Sequence, residues 1–199
     1  MGKLKWMWIL VVWLAAGNLL AQARPEVVDT KDVAPLDAQR EKRALQSLLK
    51  IAEEMITDAV EAMPADKLGF VPTDGEFKGV RTFGQMVKHL SATNHILAAA
   101  TLGEKPPAGV GDELGPESVR TKAEILTYLK GSFAHLDKAV EAIGQANTPV
   151  NSSPISPLKR GEVTRSALVV ESLFHAADHY GQMVEYLRMN GVVPPASRP

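Results

Sequence analysis

Cysteine is missing from all 199 residues of this chain. Its absence excludes a thiol nucleophile, a thiolate-ligated zinc and any disulfide staple, so stability must come from the core or from a bound metal. Histidine and carboxylate remain as the available metal ligands. An excess of one charge is missing too: 22 Lys and Arg stand against 23 Asp and Glu, a net charge of −1. No basic cluster exceeds Lys159-Arg160, so no electrostatic footprint for nucleic acid is present and no such partner is expected. Internal repeats and low-complexity tracts are also absent. With 45% hydrophobic residues, the chain suits one compact domain.

The longest apolar run is too short to span a bilayer comfortably. Trp6–Leu20 covers about 15 residues, against the roughly 20 that a spanning helix needs. It follows Lys3 and Lys5 and precedes Ala21-Gln22-Ala23, the order of a signal peptide with its small-residue cleavage site. The expectation is a signal peptide over residues 1–23, export to the periplasm or the medium, and no stable membrane span after cleavage. A retained signal anchor is the other reading of the same run. Cleavage would remove two lysines and take the net charge from −1 to −3. Residues 24–36 (RPEVVDTKDVAPL) are polar, with two prolines, and read as an extended lead-in to a domain over 37–199.

Within that domain the apolar residues recur at helical spacing. Leu45, Leu48, Ala52, Met55, Ile56, Ala59 and Met63 mark a first helix closed by Pro64. Thr82 and Gln85 fit a capping box, opening a second helix that runs to Leu102 before Gly103. Thr121 and Glu124 offer another box for a third helix, ending at Gly144. A fourth starts near Val163 and stops at Asn190-Gly191, ahead of Pro194-Pro195. Four amphipathic helices without a convincing strand predict an all-α four-helix bundle. The Gly- and Pro-rich connections over 103–116 and 144–162 are longer than tight hairpins need, and suit crossovers.

Two of the five histidines, His175 and His179, stand four apart on the fourth helix. On that helix Glu171, Asp178 and Glu185 repeat every seven positions and mark a wet side, while Leu168, Ser172, Ala176, Met183 and Leu187 face away. The pair falls in that inward arc or on its border. On the second helix Phe83, Met86, Leu90 and Leu97 define the buried stripe. His89 flanks the stripe, and His95 lies opposite it near Lys88. His135, at the edge of the third helix's stripe, and His95 both read as surface residues. Two imidazoles at i and i+4 can converge on one ion, and a third from a facing helix would close a three-histidine face with a position left for water. The spacing alone arises often by chance, and two core histidines bonded to carbonyls would give the same pattern.

HAADHYGQMVEYLRMNGVVPPAS, residues 175–197, closely resembles the last helix of DinB-like proteins, damage-inducible four-helix metalloproteins whose relatives include bacterial thiol transferases. RTFGQMVKHL, residues 81–90, resembles the second helix of that family, where its first metal histidine lies. The resemblance covers the mature domain in helix order, although only these two segments are specific. It implies a divalent ion (zinc, nickel or manganese) held by His89, His175 and His179, long crossovers and frequent homodimers. An exported member would be separated from cytoplasmic low-molecular-weight thiols, so family and fold do not deliver the transferase reaction.

A bound ion could activate water for hydrolysis or a substrate thiol for transfer. Glu171, one turn before His175, is the candidate base for the first, and a solvated charge is its other reading. Asp178 could orient an imidazole and Gln182 could bond at the site. Tyr180, Tyr186 and Arg188 read as packing and helix-end charge. Two functions therefore remain: a metal-dependent hydrolase or transferase acting on a small molecule, or a non-catalytic, metal-stabilised bundle with a stress-related or interaction role.

Overall fold

Four helices make up most of the regular structure in this computed structural model, which describes residues 38–110, 113–143, 150–151, 153–158 and 163–198. They are α1 (Ala38–Ala62), α2 (Phe83–Leu102), α3 (Lys122–Ile143) and α4 (Arg165–Met189). Short 3-10 turns at Ala65–Lys67 and Pro195–Ser197 accompany them. No strand occurs among the described residues, and the architecture is an all-α four-helix bundle. The expected signal peptide and lead-in, residues 1–36, lie outside the described residues. Among those described, no helix is long and apolar enough to cross a membrane.

Local chemistry sets the helix ends. Thr82 Oγ1 accepts from the Gln85 amide at 3.2 Å while Gln85 Oε1 accepts from the Thr82 amide at 2.9 Å, the reciprocal box that starts α2. The next two amides, of Phe83 and Gly84, donate to the carbonyls of Phe70 and Leu68. A Cβ on Gly84 would lie 3.3 Å from that Leu68 oxygen, so glycine lets the 63–82 connection press onto the helix start. At α3 the second box forms as well: Glu124 Oε2 accepts from the Thr121 amide at 2.8 Å and Thr121 Oγ1 from the Glu124 amide at 3.3 Å. Lys122 Nζ then reaches back to the Glu61 and Met63 carbonyls, both at 2.7 Å, and satisfies the end of α1. Thr164 caps α4, and Gly191, at φ 72°, ends its last turn beside the Val192 amide bonded to Leu187.

α1 and α2 are consecutive but barely touch, and each packs against α3 and α4. They therefore occupy opposite corners, and the 63–82 connection is a diagonal step. The 103–121 connection, whose length suggested a crossover, instead joins the immediate neighbours α2 and α3. Its residues Glu113 and Gly115 lie against α2. Gly115 sits at φ 70°, where a Cβ would lie 3.3 Å from the Lys88 carbonyl oxygen.

Burial is uneven between the helices. Fifteen of the twenty residues of α2 are buried, among them Phe83, Met86, Leu90 and Leu97, so α2 is the core helix rather than a one-sided amphipathic one. Phe133, Leu129 and Leu136 of α3 and Leu168, Met183 and Leu187 of α4 complete the packing. Each such side chain stabilises the fold by about 1.5–3 kcal/mol through removal from water. On α1 the buried positions are Leu45, Leu49, Ile56, Ala59 and Val60. Leu48 and Met55, expected in its stripe, are exposed together with Ile51. These three line a groove of about 200 Å³ with Leu173 and Tyr180 of α4. Phe174, on the same helix, is 76% exposed. Apolar spacing on α1 thus spans a wider arc than the core covers.

Candidate metal centre

His89 comes from α2 and His175 and His179 from α4, and the structure brings the three together between those helices. His175 Nε2 lies 3.1 Å from His89 Nε2 and 3.0 Å from His179 Nε2. One ligand nitrogen from each ring falls within 4.8 Å of the others, which is the spacing of groups that could hold a metal ion. The rings stand nearly perpendicular in each pairing, at 77°, 89° and 88°.

The outer nitrogens decide what the inner ones present. His89 Nδ1 lies 3.0 Å from the Glu113 carbonyl oxygen, which can only accept, so Nδ1 carries the proton and Nε2 offers its lone pair. At His179 the partner is Gln182 Oε1, 3.2 Å from Nδ1. That side of the amide must be the oxygen, because Gln182 Nε2 donates to Asp178 Oδ2 at 3.1 Å. His179 Nε2 is therefore a lone pair as well. Between two such nitrogens, His175 Nε2 can donate one proton to only one of them. Its own Nδ1 is buried without a hydrogen-bond partner. With the His175 proton moved to that Nδ1, three lone pairs would fit a divalent ion, since nitrogen ligands bound at about 2.0–2.1 Å lie 3–4 Å apart. Outer partners that fix tautomer and ring orientation are what ligating histidines require.

Electrostatics push the same way. Burial, followed by the neighbouring His179, His89 and Arg81, carries His175 down to about 3. Burial likewise lowers His89 and His179. The rings are neutral at pH 7, which is the ligating form. Arg81, immediately before the α2 cap, adds positive charge at all three rings, and its Nε is buried without a partner. Its carbonyl accepts from the Tyr186 hydroxyl at 3.2 Å, and the Tyr186 ring packs edge-on to Phe70 at 5.6 Å, in keeping with the packing role read for it.

Glu171 stands outside this cluster. Its Oε2 accepts from Ser156 Oγ at 2.7 Å, and burial raises its pKa against that bond. Asp178 and Gln182 act in series on His179, as the sequence allowed. Glu113 and Arg81 are participants that sequence reasoning did not select. Glu113 sits in an aperiodic connection, at φ 71°, and no local pattern announces its carbonyl. Arg81 was visible only as a residue preceding a cap.

His95 and His135 are not the surface residues expected. Both are half-buried, with their Nδ1 atoms 3.0 Å apart across α2 and α3. The wheel placed His95 opposite the main stripe, but α2 is covered on nearly every side, so opposite does not mean wet.

Fold and cluster define the class: a four-helix bundle whose inner face carries three converging imidazoles able to hold a metal. The family model of the DinB superfamily matches residues 48–183, a span containing all three rings, and the chain belongs to that superfamily. No curated protein matches it.

Proposed function

We propose that His89, His175 and His179 bind one divalent ion (zinc, nickel or manganese) and that the protein is a metal-dependent hydrolase or transferase acting on a small molecule outside the inner membrane. The observation carrying this reading is the pair of acceptors, Glu113 carbonyl and Gln182 Oε1, that turn two lone pairs toward one point. The ion supplies Lewis acidity and an activated water when bound. Arg81 supports a substrate with an anionic group: its charge acts on all three rings and its buried Nε has no hydrogen-bond partner, so an anion at the site would offset the repulsion of a second cation. Glu171 is the candidate base in the hydrolytic version; burial raises its pKa, but it stands outside the cluster, accepting from Ser156 Oγ, and would have to act through a water.

Elemental analysis of protein purified without an affinity tag or chelator tests the first step. About one ion per chain is expected after reloading, falling below about 0.1 in His175→Ala with helical content retained. Less than 0.1 in the unaltered protein overturns the reading. Turnover that survives His175→Ala would move the activity elsewhere.

We further propose a homodimer through the exposed face of α1 and α4, where Phe174 protrudes beside the groove lined by Leu48, Ile51 and Met55. A knob and a hole on one face are self-complementary under a two-fold axis. Phe174→Ser should convert dimer to monomer in analytical ultracentrifugation. A monomer before substitution removes the proposal.

A further inference from the structure

His95 and His135 form a second cluster, separate from the first. His95 lies six positions after His89, about 9 Å along α2. The two Nδ1 atoms lie 3.0 Å apart, one ring from each of two packed helices. On the far side of His135, Nε2 faces the Glu104 carboxylate at 4.0 Å. The Tyr128 ring covers His95 with centroids 5.3 Å apart. Both histidines line a polar cavity of about 330 Å³, whose other walls include Glu104, Lys105 and Lys138.

We propose that His95 and His135 form a second metal site, taking a borderline d-block ion such as copper(II), nickel(II) or zinc(II) through their two Nδ1 atoms. Two nitrogens 3.0 Å apart sit within the bite of one ion bonded at about 2.0–2.1 Å. Glu104, 4.0 Å from the opposite nitrogen of His135, is too far for a hydrogen bond, but its charge favours a proton on Nε2, which leaves Nδ1 as the ligand. Without metal, His95 donates its Nδ1 proton to that lone pair. Binding requires His95 to move this proton to its own Nε2, with no net proton released. Burial keeps both rings neutral at pH 7, His95 at about 4.

The cavity leaves room for exchangeable ligands on the ion. Lys105 and Lys138 at its rim disfavour a bare cation and favour an ion that carries an anion, a carboxylate or phosphate, in that space. All-oxygen ions such as calcium and magnesium are excluded by the donor set. With two protein ligands instead of three, this site fills after the first.

Copper(II) titration of protein already loaded with one zinc per chain tests the site. The expected result is one copper bound, with an electron paramagnetic resonance spectrum showing coupling to two imidazole nitrogens. His95→Gln and His135→Gln should each weaken that second binding at least tenfold while the zinc stays in place. Absence of a second ion, or a second ion unchanged in both variants, overturns the proposal and leaves a nitrogen–nitrogen hydrogen bond. Each single substitution keeps a polar group of similar reach, and retained zinc stoichiometry reports that the bundle is folded.

Discussion

α2 carries a histidine on each of two faces, and the two faces solve the same problem differently. At His89 the outer nitrogen meets a backbone carbonyl at 3.0 Å, and at its neighbour His179 a side-chain amide at 3.2 Å, so the inner nitrogens are committed as lone pairs. At His95 and His135 one ring shares its proton with the other, and only a carboxylate 4.0 Å away biases the choice. In the first cluster, which could hold a cation, two of three nitrogens already stand as lone pairs and only His175 must move its proton to Nδ1, whereas in the second no lone pair is fixed by a bonded outer partner. Burial alone does not distinguish them, since it depresses every histidine in both. The outer partners do.

Removing an outer partner should erase that distinction, and this is the largest effect expected. In Gln182→Leu, His179 loses the acceptor that holds its proton on Nδ1, and Asp178 loses its own donor. Metal affinity at the first cluster should fall by about 10–100-fold, the usual cost of an outer partner, while helical content stays unchanged. Competition with a chromophoric chelator measures it. An affinity within twofold of the unaltered protein would mean that the rings, not their partners, set the preference.

Much of this arrangement was legible in the sequence because it is local. Thr82 with Gln85, Thr121 with Glu124 and the Asn190-Gly191 stop each place a helix end by chemistry confined to a few residues. The triad was legible because α4 carries two rings at i and i+4, and because His89 sits in a segment resembling a known family. What stayed hidden is long-range. The Glu113 carbonyl reaches His89 across 24 positions, from a connection with no periodicity. The facing of His95 failed for a related reason: a wheel finds the apolar side of a helix, but on α2 the other side is covered by a neighbour and a connection. On α1 the error ran the other way, with Leu48 and Met55 placed inside by spacing although no described element covers them.

Acid should sharpen the comparison next. An unfolded histidine titrates near 6.5, while burial carries His175 to about 3 and His95 to about 4 and lowers the other three. Between those values the unfolded chain binds more protons than the folded one, so stability is complete above about pH 6.5 and is lost as pH falls toward 4. Metal-free protein should melt several degrees lower at pH 5 than at pH 7, where about 1 kcal/mol moves Tm by roughly 2–4 °C at this size. In His95→Gln/His135→Gln the slope should shrink but persist, because the triad still resists protonation. A flat profile in the unaltered protein would show both clusters to be wetter than their burial implies.

The smallest effect concerns the backbone that serves the triad. Glu113 holds φ 71°, a left-handed conformation that costs a residue with a Cβ about 1–2 kcal/mol. Its carbonyl oxygen lies 3.0 Å from His89 Nδ1, against 3.5 Å for its carboxylate Oε2. Strain of this kind persists where the surroundings over-determine it, and here the carbonyl is what the ring uses. Glu113→Gly relieves the strain but adds freedom to the unfolded chain, offsetting about 0.4–1 kcal/mol. The expected sum is a gain of about 0–1.6 kcal/mol, read as a Tm rise of about 6 °C at most, with metal affinity unchanged. Glu113→Asn, which tolerates the same conformation, should behave alike without the added freedom. If both variants lose affinity tenfold while keeping their melting temperature, the carboxylate rather than the carbonyl orients His89. The first cluster would then depend on a side-chain carboxylate as the second does, and the contrast between them would narrow to distance.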